Sequence, residues 1–152
     1  MYCTINDIQN IIPAQELINL TNDRVEIGTP VNMDIVNIAV QHADNLIDSA
    51  LRAKYKLPLS FIPPLVTTLS ADIAAYRIYL RRPLDIPEHI GKNYDKAILI
   101  LDKISTGKML LPLPDEYPDE NIPKPPSVVL TNKTPNDKIF NDRFLGAFRH
   151  TI

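Results

Sequence analysis

Residues 32–55, NMDIVNIAVQHADNLIDSALRAKY, decide the fold of this chain. Ile35, Ala39, His42, Leu46, Ala50 and Ala53 recur at spacings of three and four, flanked by Ile38, Ala43, Ile47 and Leu51. That period lines one face of an α-helix, whereas a strand would need a period of two. Asn32 has the short polar side chain that caps a first turn, and Asp34 sets a negative charge near the positive end of the helix dipole. The helix is predicted to end near Tyr55, because Leu57-Pro58 and Ile62-Pro63-Pro64 force extended backbone before each proline.

The same reading extends in both directions. Pro64 suits the first turn of a second long helix that ends near Arg81, ahead of Pro83, with Leu65, Leu69, Ile73, Tyr76 and Leu80 as its stripe. A third, about Glu88 to Ser105, presents Tyr94, Ala97, Ile98, Leu101 and Ile104 and stops at Gly107. Residues 4–21 read as one or two short helices, capped by Thr4 or Asn6 and punctuated by Pro13. Asn22 to Pro30 reads as a polar loop. The expectation is an all-α fold: a bundle of about four helices over residues 1–107, followed by a long, extended, proline-rich C-terminal arm over 108–152.

Composition agrees with that division. The chain has 152 residues, 14 prolines and only 4 glycines. Glycine scarcity counts against a fold rich in tight hairpins. Seven prolines fall in residues 1–107 and seven in the shorter 108–152. Six of the latter crowd into 112–126 around the acidic run Asp115-Glu116-Tyr117-Pro118-Asp119-Glu120, a stretch expected to be extended or polyproline-like. Residues 140–148 then hold three of the four phenylalanines. At about 3.1–3.4 Å per residue the arm reaches on the order of 140 Å, far beyond the ~13 Å radius of gyration of a 100-residue bundle. An arm of that reach, ending in Ile139, Phe140, Phe144, Leu145 and Phe148, fits docking on another subunit or folding back on its own bundle.

Few residues carry chemistry. A net charge of -2, with 10 basic and 12 acidic side chains in residues 1–107, argues against affinity driven by phosphate contacts. Cys3 is the lone cysteine, so neither an internal disulfide nor a cysteine-built zinc site is expected. No HExxH, GxSxG or P-loop pattern occurs, and no catalytic, metal or cofactor residues are assigned. No apolar run approaches a membrane span and the first residues lack a secretion signal, so the chain reads as cytosolic. His42 reads as a core or helix-interface histidine, and His89 and His150 as solvated. Asp72 stands out as a carboxylate inside an apolar stripe, where an arginine or a tyrosine hydroxyl would serve as its partner. Arg77 and Arg81 share a helix face, and with Arg82 they are the candidate DNA contact of an alternative reading, a small helical DNA-binding or regulatory protein.

The order of motifs has a precedent. Met1-Tyr2-Cys3-Thr4 and Glu16-Leu17-Ile18-Asn19-Leu20-Thr21 open it. Ala43-Asp44-Asn45-Leu46-Ile47-Asp48-Ser49-Ala50-Leu51-Arg52-Ala53-Lys54-Tyr55 runs into Leu57-Pro58-Leu59 and Pro63-Pro64. Asp72-Ile73-Ala74-Ala75-Tyr76-Arg77-Ile78-Tyr79, Arg81-Arg82-Pro83, Tyr94-Asp95-Lys96-Ala97 and Ile104-Ser105-Thr106-Gly107-Lys108 complete the series. Together they resemble the Mu-type phage and prophage structural proteins, which are similar in turn to small helical head-completion and head–tail connector proteins. The resemblance covers residues 1–111 and the Phe140–Phe148 ending, with Tyr55, Pro58, Asp72, Tyr76, Arg81, Arg82 and Pro83 among its motif residues. A longer proline-rich insertion separates the two parts.

The resemblance implies a virion neck component, assembled in the host cytoplasm and needing no cofactor or membrane. Its implied partners are further copies in a ring, dodecameric by portal symmetry, the portal protein, and tail, tail-terminator or stopper proteins. DNA would pass through the ring in transient, non-specific contact.

Overall fold

In the computed structural model, described for residues 1–82 and 85–113, five helices follow one another: α1 (Ile5–Gln9), α2 (Ala14–Thr21), α3 (Met33–Leu51), α4 (Pro64–Tyr79) and α5 (Glu88–Ser105). No strand occurs among the described residues, so the bundle is all-α. Residues 114–152, which include the whole aromatic ending, and Pro83 lie outside the described residues.

Each helix boundary has a local cause. The backbone N–H and hydroxyl of Thr4 both donate to Asp7 Oδ2 at 2.7 Å, which fixes the first turn of α1. Those bonds, the backbone one foremost, hold the Asp7 carboxyl below its usual range. Asn32 caps α3 by accepting from the N–H groups of Asp34 and Ile35 at 3.1 and 3.4 Å. Pro64 occupies the first turn of α4, where no N–H is needed. Gly107, at φ +76°, takes the left-handed conformation that ends α5, and the Met109 N–H returns to the Lys103 carbonyl at 3.0 Å.

α4 is the central element and packs on α1, α2, α3 and α5. It is accordingly apolar on most sides: Val66, Leu69, Ala71, Ile73, Ala74, Ala75, Ile78 and Tyr79 are all buried. Its three buried alanines are short enough for neighbouring helices to approach its backbone closely. Of the stripe read from sequence, Leu69 and Ile73 are buried, Leu65 and Tyr76 half-buried, and Leu80 lies just past the helix end at 48% exposure.

α3 differs from expectation by a rotation. Its buried residues are Val36, Ala39, Val40, Ala43, Ile47 and Leu51, so the seam runs one position, about 100°, from the stripe built on Ile35 and His42. His42 is exposed and not in the core. Both arcs are rich in apolar side chains, and the bundle buries the β-branched one and leaves the imidazole in water. The helix also ends at Leu51, four residues early. Turns then carry the chain to Tyr55, whose ring is buried.

α5 buries Ile90, Ala97, Leu101 and Ile104, with Tyr94 and Ile98 half-buried. Beyond Gly107 the chain turns back. Leu111 is 6% exposed and belongs to the core, and its N–H donates to the Tyr55 hydroxyl at 2.9 Å. The core therefore takes in residues past position 107.

Candidate functional site

The charged motif residues meet at helix seams. From the end of α4, Arg81 donates through Nη1 to the Leu20 carbonyl at 2.9 Å and through Nη2 to Asp23 Oδ1 at 2.6 Å. Arg82 donates to the carbonyls of Asn19, at 3.3 Å, and Asn22. Leu20 and its neighbours form the last turn of α2, where carbonyls have no partner within the helix, so the two guanidinium groups complete that end. Arg77 is exposed on the same side of α4. Of the candidate DNA contacts, Arg81 is thus engaged within the bundle and Arg77 faces solvent.

Asp72 is half-buried in the α4–α5 seam, and its partner is neither arginine nor tyrosine. Asn93 Nδ2 donates to Asp72 Oδ1 at 3.2 Å. Burial pushes the Asp72 carboxyl up, while the Asn93 bond and the Lys96 charge oppose the rise. Beside it the rings of Tyr76 and Tyr94 stack with centroids 4.0 Å apart and planes inclined by 14°. An amide on the next helix supplies the hydrogen bond to the carboxylate, and the Lys96 charge adds to it. Tyr55 pins the chain after α5, and the adjoining Leu57–Pro58 peptide bond is cis.

Three further carboxylates tie elements together. Asp44 of α3 accepts from the Met1 amino group at 3.4 Å, the Tyr2 N–H at 3.1 Å and the Ser70 hydroxyl at 3.2 Å. The Tyr2 hydroxyl donates to Asp48 one turn on. Tyr79 donates to Glu16 at 2.8 Å, and burial, followed by that bond and the Glu16 charge, drives its hydroxyl far up. Cys3 is buried between these elements, and desolvation raises its thiol, which disfavours the reactive thiolate. His89 is exposed, and His150 lies outside the described residues. No group of three or more His, Cys, Asp or Glu is arranged to hold a metal ion among the described residues, and no helix there is long and apolar enough to cross a membrane.

Part of what the bundle leaves uncovered is apolar. A groove of about 260 Å³ between α3 and the end of α4 is lined by Ile35, Ile38, Ala39, Ile78 and Leu80, with Arg77 and Arg81 on its rim. Ile38 is 59% and Leu80 48% exposed. A second, more open groove of about 350 Å³ lies between α3 and α5, with Leu46, Ala50, Ile98 and Leu101 in its wall. The sequence carried the signal: apolar residues of α3 span an arc too wide for one seam, so some must remain outside.

These features define a small all-α bundle in which several charged side chains, Arg81, Arg82, Asp44 and Glu16 among them, tie its seams, and whose apolar grooves open outward. The chain belongs to the bacteriophage Mu Gp36 family, whose model matches residues 2–130. The match includes the proline-rich run and ends short of the aromatic ending. Among curated proteins, the Mu-like prophage FluMu protein gp36 of Haemophilus influenzae is 31% identical over 87 residues. That alignment takes in 57% of this chain and 58% of the relative, so the matched part spans under two thirds of the relative's length.

Proposed function

We propose that the chain is a neck component of a phage particle, a head-completion or head–tail connector protein. Copies form a ring under the portal, DNA passes through it, and the tail or its terminator or stopper protein attaches to it. The supporting observation is membership of a phage Mu family by a bundle with apolar grooves on its outside. Outward apolar grooves are chemistry for contact with other protein surfaces. A net charge of -2 also suits a channel along which DNA must slide, since a strongly basic lumen would hold it.

The DNA-binding alternative has less support, because Arg81 and Arg82 bond to the end of α2. Salt-dependent gel shifts with duplex DNA would favour that alternative. For the neck reading, residues 139–152 are the arm's anchor. Their deletion is expected to leave the helical circular dichroism of the bundle intact and to weaken ring or portal association by about tenfold or more in sedimentation. Unchanged association by that truncation contradicts the anchoring role.

A further inference from the structure

The α3–α4 groove has the size and chemistry to hold side chains of a peptide. At about 260 Å³ it falls below the roughly 300–1,000 Å³ of ordinary small-molecule sites. Its lining is mostly aliphatic and includes the exposed Arg77, a guanidinium of the kind that pairs with aromatic faces. A site of this kind takes one or two aromatic anchors.

The chain carries such anchors beyond the described residues. Phe140, Phe144 and Phe148 recur at intervals of four, and Leu145 is adjacent to the middle one. In a helical register this spacing would align them on one face, the pattern of a segment that lies in an apolar groove. Geometry bears on which copy supplies the segment. The described residues end at Leu113, close to the Tyr55–Leu111 bond at the far end of α3. The groove, at Ile35 and Ile38, is roughly 20–25 Å back along that helix. The 27 residues from Leu113 to Phe140 reach about 80 Å in extended form, and their prolines oppose a tight return. A spacer of that reach spans to the groove of an adjacent copy as well as to its own.

We propose that the Phe140–Phe148 segment of one copy seats in the α3–α4 groove of its neighbour, against Ile35, Ile38 and Leu80. The assignment to a neighbour rests on the neck reading above. The test uses the full chain, with a benzophenone-bearing phenylalanine analogue replacing Phe144, in a mixture of isotopically light and heavy copies. After irradiation, cross-links are expected from position 144 to residues 35–39 or 77–81 of the other isotope. Ile38→Glu, at an exposed position, is expected to cut their yield by about tenfold or more with helical circular dichroism unchanged. Leu99→Glu, equally exposed on α5, leaves the yield as it was.

Cross-links that map elsewhere, that are absent, or that are indifferent to Ile38→Glu overturn the seating. Cross-links to the groove confined to single chains overturn its assignment to a neighbour. Imaging of the same sample separates the two readings. A ring without groove cross-links defeats the seating alone, whereas groove cross-links with no ring and no portal association defeat the neck reading.

Discussion

Asp72 and Tyr55 show how single side chains set the stability of the α5 end of the bundle. The folded-state pKa of Asp72 lies above its ordinary 3.8, so in the window above that value the native state binds more protons than the unfolded chain. Its contribution is therefore favourable at low pH and is lost as pH rises through the folded-state value. Asp72→Asn keeps an acceptor for Asn93 and removes the buried charge. The variant is expected to melt higher than the parent at pH 7, with the difference shrinking toward pH 4. An equal gain at both pH values in thermal unfolding would contradict this. Tyr55→Phe leaves the buried Leu111 N–H without its acceptor, a loss of about 1–3 kcal/mol. Denaturant unfolding measures that cost, and amide exchange at Leu111 should accelerate. Of these two, sequence singled out Asp72 because a carboxylate interrupted an apolar stripe. It named the wrong kind of partner, because Asn93 comes from another helix and sequence spacing does not encode contact across a seam. Tyr55 had no signal beyond its place in a motif, since its partner is a backbone group 56 residues away.

At the level of elements, the helices were legible and their rotation was not. Caps, prolines and the spacing of apolar residues locate α3, α4 and α5 to within a few residues. The choice between the Ile35 and Val36 arcs of α3 turns on which neighbours cover it, and two neighbours, α4 and α5, share the task. Likewise the central place of α4 is written in Ala71, Ala74 and Ala75, whose meaning appears only when helices close around them. Ala74→Leu adds volume to a fully buried position and is expected to destabilise by about 1–3 kcal/mol through overpacking. A neutral result in chemical unfolding would show that the seam is loose. The Arg81 clamp gives a paired prediction. Arg81→Ala removes a charged donor from the Leu20 carbonyl, a contact worth about 1.5–3 kcal/mol before solvent screening, and should speed amide exchange in the last turn of α2. Asp23 is 77% exposed, so Asp23→Asn should cost less than about 1 kcal/mol. The reverse order would mean that the ion pair and not the carbonyl bond holds the two helices.

For the whole molecule, the bundle is held by an apolar core and by polar ties that close its ends, and neither requires a second copy. The outward grooves of α3 are what remains to be covered, and the neck reading covers them by assembly. That reading is tested most directly by negative-stain imaging of the full chain mixed with the portal protein of its own phage. The account predicts a ring of added density coaxial with the portal, with an open channel at its centre. A portal of unchanged outline beside a chain that stays monomeric at every concentration would contradict it.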